Sequence, residues 1–173
     1  MDAVKNEAIV SELKDNSEIL VFGDEEIIGA VRAKLENCKI ISVSKNPETI
    51  KRIKDKKYAN LELIEKDIND FLNETELKEI SAVIFHGVLS QIIDFPNRKI
   101  YLKVLFKILK RILSETGKII IREDKNNSKA PQVELLEKIG KKEGLKLRAL
   151  NDSAQDYTVV LERDLEEKYE DIE

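Results

Sequence analysis

Few residues of this 173-residue chain could do chemistry, and most of them directly follow short apolar runs. His86 is the only histidine, so it is the only side chain whose charge would change near neutral pH without perturbation. It follows the apolar run at residues 82–85. His86 is therefore the candidate catalytic residue; the alternative is an ordinary polar residue at a strand end.

Acidic residues follow two other apolar runs. Asp24, Glu25 and Glu26 come after residues 19–22 and Gly23, where they could face a ligand or stabilise the first turn of a helix through its macrodipole. Asp67 comes after residues 61–64, where it could accept a hydrogen bond from a ligand or cap the next helix. The sequence leaves both pairs of alternatives open.

Several kinds of site are excluded by residue types that are absent. A single histidine and a single cysteine, Cys38, offer no metal-ligand spacing and no evident pair of nucleophile and base. Only Gly23 matches the G-x-G-x-x-G pattern of nicotinamide dinucleotide folds. No Gly-Lys-Ser/Thr sequence is present, which excludes a P-loop.

Length and composition predict one globular domain at 1–163, followed by an acidic C-terminal tail at 164–173. Apolar residues make up 42% and charged residues 37% of the chain. The net charge is −4, and residues 162–173 alone carry seven acids and two bases, so we expect no nucleic-acid partner. A lone cysteine and the lack of an apolar run near 20 residues predict a cytoplasmic protein without a membrane partner.

The pattern of apolar residues predicts an α/β fold. Five short apolar runs alternate with helical periodicity, which favours a parallel sheet with helices on both faces. Two further strands, at 145–150 and 157–162, are joined by a short polar loop and must be antiparallel to each other. Basic residues on the long helix at 97–114 and around residues 52–57 are expected to be solvated surface; those on the helix are Lys99, Lys103, Lys107, Lys110 and Arg111.

Four segments resemble class I S-adenosylmethionine-dependent methyltransferases. Residues 84–92 resemble the family's fourth-strand motif, 112–121 its long helix and fifth strand, and 143–147 and 157–162 its last two strands. The resemblance implies a doubly wound, mostly parallel seven-stranded sheet of order 3-2-1-4-5-7-6 with one antiparallel strand. It also implies an S-adenosylmethionine site over the carboxyl ends of strands 1 to 4.

The resemblance places the cofactor on residues that follow these strands: Gly23, Asp24, Glu25, Ser44, Lys45, Asp67, Ile68, His86 and Gly87. Two family motifs are altered. Glu25 and Ile27 stand where glycine is usual, so we expect their side chains to crowd the cofactor. Ser44 stands where an acid holds the ribose, and it cannot offer two carboxylate acceptors.

The function implied by the resemblance is methyl transfer from S-adenosylmethionine to a small molecule. One alternative is a non-catalytic relative that binds a partner protein as a regulatory subunit, because both cofactor motifs are altered. A homo-oligomer is compatible with either hypothesis. A receiver-like signalling domain is a weaker alternative, since His86 and Arg122 stand where its hydroxyl and lysine belong.

Overall fold

The computed structural model describes residues 2–165, and its centre is a seven-stranded sheet of order β3-β2-β1-β4-β5-β7-β6. Strands β1 to β5 are parallel, whereas β7 is antiparallel to both β5 and β6. The predicted order and the single reversed strand are therefore confirmed. The strands are β1 (Glu18–Phe22), β2 (Lys39–Ser44), β3 (Leu61–Glu65), β4 (Ile80–His86), β5 (Leu113–Asp124), β6 (Leu145–Asp152) and β7 (Asp156–Arg163).

In the part of the chain that the structure describes, seven helices connect and cover the strands: α1 (Asp2–Ser11), α2 (Glu25–Lys34), α3 (Pro47–Lys56), α4 (Ile68–Glu74), α5 (Leu89–Ile92), α6 (Arg98–Ile112) and α7 (Val133–Lys142). A 3₁₀ turn at Phe95–Asn97 precedes α6. Within residues 2–165, no helix has the length and apolar character to cross a membrane.

Two apolar layers hold the helices against the sheet. In β1, Leu20 and Phe22 face the layer formed with α4, α6 and α7, and Ile19 and Val21 face the layer formed with α1, α2 and α3. Successive side chains of a strand point to opposite faces, so a strand covered on both faces must be apolar throughout. This explains why the sequences of the central strands are continuous apolar runs.

The boundaries differ from the prediction where no local signal marks them. The first helix ends at Ser11 rather than near residue 14. Strand β5 is twelve residues long because the chain pairs with β4 from Leu113, ahead of the predicted start at 118, through a register irregularity. Helix α5 was not predicted, since four residues are too few for a helical period. Of the predicted tail at 164–173, residues 166–173 lie outside the described part.

Candidate functional site

A cavity of about 740 Å³ opens at the edge of the sheet where β1, β2 and β4 end. Parallel strands bring their carboxyl ends to one edge, and the crossovers leave on either side of β1, so a crevice forms there. Eight of the nine predicted cofactor residues line this cavity: Gly23, Asp24, Ser44, Lys45, Asp67, Ile68, His86 and Gly87.

Gly23 is required by packing at the turn from β1 to α2. A Cβ atom at this position would lie 2.9 Å from Cβ of His86 on the neighbouring strand β4. The next residue, Asp24, caps α2 by accepting a hydrogen bond from the Glu25 backbone N–H at 2.7 Å. Glu25 and Glu26 then lie in the first turn of α2, where their negative charges stabilise the helix through its macrodipole. This is one of the two roles that the sequence left open for them.

Glu25 and Ile27 do not line the cavity, which corrects the expectation that they crowd it. The Glu25 carboxylate accepts a hydrogen bond from the Tyr58 hydroxyl, and burial of that hydroxyl, with the Glu25 contact, raises the pKa of Tyr58 to about 12. Gly29 leaves room for this contact. Ile27 is fully buried in the layer beneath α2. The altered loop thus directs these two side chains away from the site.

Asp24 is the one acid of the loop that faces the cavity, and it is paired. Arg52 of α3 donates from Nη2 to Asp24 Oδ2 at 2.9 Å and from Nε to Oδ1 at 3.3 Å. Arg52 also lines the cavity. The sequence placed Arg52 among solvated basic residues, because nothing local shows that α3 lies beside the start of α2.

At the end of β2, Ser44 accepts a hydrogen bond at Oγ from the Asn46 backbone N–H at 3.1 Å. Asn46 in turn caps α3 through hydrogen bonds from the backbone N–H groups of Glu48 and Thr49. Ser44 is almost buried but borders the cavity. Its hydroxyl proton is therefore available to a ligand, while part of its acceptor capacity is already used.

Asp67 caps helix α4, which is one of the two roles predicted for it, and it also lines the cavity. Its Oδ1 accepts a hydrogen bond from the Asp70 backbone N–H at 3.1 Å, which caps α4, and its Oδ2 lies 2.9 Å from Lys45 Nζ. The hydrogen bond from Lys45 holds the pKa of Asp67 below its usual value. Asp67 is therefore a carboxylate at neutral pH and can accept hydrogen bonds from a ligand.

His86 lies at the end of β4, beside Arg122 of β5 in the sheet register. One of its ring nitrogens, Nε2, is 3.1 Å from the side-chain oxygen of Asn6, a buried residue of α1. Gly87 follows with φ of +71°, a conformation that favours glycine. Asn6 was not predicted, because only the packing of α1 brings it to the site.

A buried carboxylate supports the wall of the cavity from behind. Glu123 of β5 is 1% exposed, and its Oε1 accepts a hydrogen bond from the Ser90 backbone N–H at 3.0 Å. Ser90 belongs to α5, whose residues Gln91 and Ile92 line the cavity. Burial raises the pKa of Glu123, so the fold disfavours its charge. Glu123 therefore anchors α5 from inside the protein.

The ionised side chains around the cavity are balanced: Asp24 with Arg52, and Asp67 with Lys45. In the part of the chain that the structure describes, no group of three histidine, cysteine or acidic side chains could hold a metal ion. The site therefore offers paired charges, a hydroxyl and an imidazole. These groups can bind a polar molecule and orient it, and His86 could accept or donate a proton.

Comparison with known proteins agrees with this architecture. A SAM-dependent methyltransferase from Archaeoglobus fulgidus superposes with a TM-score of 0.72 at 12% identity, over 94% of this chain and 93% of that one. A TehB-like SAM-dependent methyltransferase from Corynebacterium glutamicum gives 0.69 at 13%, over 92% and 86%. One from Bacteroides fragilis, in complex with S-adenosyl-L-homocysteine, gives 0.66 at 13%, over 91% and 77%.

No protein-family model matches the sequence, and no curated protein matches it either. The likeness to the solved structures, at such low identity, concerns the fold. The fold of this chain is that of the class I, Rossmann-like SAM-dependent methyltransferases, as the sequence predicted.

Proposed function

We propose that this chain is a SAM-dependent methyltransferase acting on a small molecule, with S-adenosylmethionine bound in the cavity at the ends of β1, β2 and β4. The supporting observation is the cavity itself, which lies at the topological switch point of the sheet and is lined by eight of the nine predicted residues. In this proposal the protein works in the cytoplasm, and the substrate occupies the side of the cavity next to His86.

The residues around the cavity fit the parts of the cofactor, which supplies a methyl group on a positively charged sulfur. Asp67 offers a carboxylate to the adenine amino group, and Ile68 an apolar contact. Ser44 offers one hydroxyl to the ribose. Asp24 and Arg52 offer one charge of each sign to the ammonium and carboxylate of the methionyl end.

Arg52 offsets the repulsion between the acidic loop and the carboxylate of the cofactor. A carboxylate about 4 Å from another costs about 4 kcal/mol at an effective dielectric near 20. The guanidinium of Arg52, at 2.9 Å from Asp24, offsets that repulsion, and Glu25 is directed to Tyr58 instead. The methionyl carboxylate would therefore meet a neutral pair rather than three acids.

Methyl transfer depends mainly on proximity and orientation, so it does not require a strongly marked catalytic group. His86 would serve as the general base for a substrate that loses a proton on methylation. Asn6 would hold the imidazole through its contact with Nε2.

Calorimetric titration with S-adenosylmethionine and with its demethylated product tests the proposal. The sharpest variant is Ser44→Asp, which restores the carboxylate at the ribose position and can keep the acceptor for the Asn46 N–H. We expect it to tighten binding about fivefold, equivalent to about 1 kcal/mol, because hydrogen bonds to charged groups are stronger. Ser44→Asn is the matched control without the charge.

Two results would count against the proposal: no binding of either ligand at millimolar concentration, or equal binding by the Asp and Asn variants. The first result would favour the second candidate, a non-catalytic subunit that binds a partner protein. The observation favouring that candidate is Ser44, whose hydroxyl already accepts a hydrogen bond from Asn46 and replaces the ribose-binding acid. Co-purification from the native source would then identify the partner.

A further inference from the structure

A second groove, between α4 and α6, has an apolar lining that extends onto the surface of the protein. Its volume is about 240 Å³, and its apolar side chains are Leu72, Ile100, Val104, Leu105 and Ile108. Ile100 is 67% exposed, and Val104, one turn further along α6, is 48% exposed. Polar residues, among them Asn69 and Asn73 of α4, also line the groove. Adjoining exposed apolar side chains beside polar residues mark an interaction surface.

The side of this surface that α4 forms is acidic. Asp70 is exposed on the outer side of α4, because Phe71 and Leu72 are the buried residues of this helix. Glu74 lies in the last turn, where it pairs with Lys66, just after the edge strand β3. Asp70 lies within 4.0 Å of no lysine or arginine nitrogen among residues 2–165. We call Asp70 and Glu74 the acidic flank.

The opposite side of the surface, where α6 faces α7, is basic. Four exposed lysines line the groove between these two helices, together with the acid Glu143; they are Lys99, Lys103, Lys138 and Lys142. Within residues 2–165, none of the four lies within 4.0 Å of a carboxylate. We call these lysines the basic flank. Ile100 and Val104 therefore lie between two flanks of opposite charge.

This distribution of charge is complementary to a second copy of itself. A two-fold symmetric interface joins the same surface of two copies. If the two-fold axis runs along α6, the acidic flank of one copy lies opposite the basic flank of the other, and the apolar residues meet their own equivalents. An axis perpendicular to α6 would place like charges opposite each other, which weakens association. The charges therefore favour the arrangement in which the two α6 helices run parallel.

The size of the surface indicates how tightly two copies bind. Helix α6 has fifteen residues and is about 22 Å long. Three neighbouring helices with axes about 9 Å apart form a face about 28 Å wide, so the surface of α4, α6 and α7 measures about 600 Å². A stable interface of standard size buries about 800 Å² on each partner. We therefore expect a dimer that dissociates at micromolar concentration.

We propose that this chain forms a two-fold symmetric dimer through α6. Ile100 and Val104 of one copy pack against the same residues of the other, and the acidic flank of each copy lies opposite the basic flank of its partner. The apolar contacts supply the burial, and the charges fix the orientation. The lysines of α6, which the sequence predicted to be solvated surface, thereby contribute to recognition. This interface does not depend on the function proposed above.

Sedimentation velocity of the full chain, from low micromolar to near-millimolar concentration, tests the proposal. The wild type should change from monomer to dimer as the concentration rises. The variant Ile100→Ser/Val104→Ser removes the exposed apolar side chains but keeps every charge, and we expect it to remain monomeric. Circular dichroism and urea unfolding check that this variant folds. A wild type that stays monomeric throughout would overturn the proposal and leave the surface to a different protein. A folded serine variant that still dimerises would also overturn it.

Exchanging charges between the flanks tests the orientation. Lys103→Glu places like charges opposite each other, and it should weaken the dimer at least about tenfold because a two-fold interface contains each contact twice. Lys103→Glu/Asp70→Lys restores opposite charges and should recover most of the affinity. Lys51→Glu makes the same change in net charge on α3, which covers the other face of the sheet, and should have no effect. A double variant no tighter than Lys103→Glu would overturn the proposed orientation, as would equal weakening by Lys51→Glu.

Discussion

Two carboxylates with little exposure, one packed against β5 and one within it, favour opposite charge states. Glu12, just after α1, has a side chain that is 13% exposed, and Glu123, near the end of β5, is 1% exposed. Glu12 receives hydrogen bonds from Arg148 at 2.9 and 2.7 Å and from Lys118 at 2.9 Å. The hydrogen bonds that Glu123 receives come from neutral groups: the backbone N–H and the hydroxyl of Ser90, and the backbone N–H of Leu89.

The difference shows that the partner, rather than burial alone, decides whether a carboxylate stabilises this fold. The hydrogen bonds from Arg148, helped by Lys118, lower the pKa of Glu12 to about 2 against the effect of its burial. For Glu123 burial dominates and raises the pKa. The ionised Glu12 therefore contributes stability, and the ionised Glu123 opposes it.

The largest expected effect is that of Glu12→Gln. The amide keeps the shape but removes the carboxylate that pairs with Lys118 and Arg148, and it leaves Arg148 with only Glu162, 4.0 Å from its Nε. We therefore expect the free energy of unfolding to fall by about 2 kcal/mol at pH 7. Urea unfolding measures this loss. Glu7→Gln, an exposed site on α1, is the control and should change little. Equal losses in the two variants would remove the contrast between the carboxylates.

The low pKa of Glu12 also predicts how the free energy of unfolding depends on pH. A carboxylate whose pKa is lowered by folding contributes its full stability above the usual value, and this is lost as the pH falls through the folded value. For Glu12 the window runs from 4.5 to about 2. The difference between the wild type and Glu12→Gln should therefore shrink across this window in urea unfolding. A difference that stays constant would show that the charge of Glu12 is not responsible.

A smaller loss is expected for Arg148→Met, about 1 kcal/mol at pH 7, because Lys118 still pairs with Glu12 and methionine keeps an apolar stem. Lys146→Met, on the same strand β6 and exposed, is the control. Since Arg148 gives the largest contribution to the low pKa of Glu12, the variant should also lose its stability at a higher pH. A loss as large as that of Glu12→Gln would mean that Lys118 contributes nothing.

The fold was predictable because apolar patterning is local. The runs at 19–22 and 82–85 mark strands buried on both faces, and the short loop before residue 157 forces β7 to reverse. The strand order came from the family resemblance. What failed was element length, as in β5, where pairing with β4 rather than local composition sets the start.

The sequence predicted only those site residues that directly follow a predicted strand. Ser44, Asp67 and His86 each follow an apolar run and meet at one edge. Arg52, which lines the cavity, and Asn6, which contacts His86, were missed because they lie on helices and make contacts 28 and 80 residues apart in sequence. The direction of Glu25 was predicted wrongly, since its partner Tyr58 lies beyond α3.

The smallest effect, of opposite sign, is expected for Glu123→Gln. The amide oxygen can still accept from the Ser90 N–H, so we expect a change below about 1 kcal/mol. Because folding raises the pKa of Glu123, the wild type loses stability as the pH rises through 4.5, and the variant does not. The variant should thus gain relative to the wild type toward pH 8 in urea unfolding. Asp124→Asn, the exposed neighbour, should show no such trend, and a loss that grows with pH would mean that the fold favours the Glu123 charge after all.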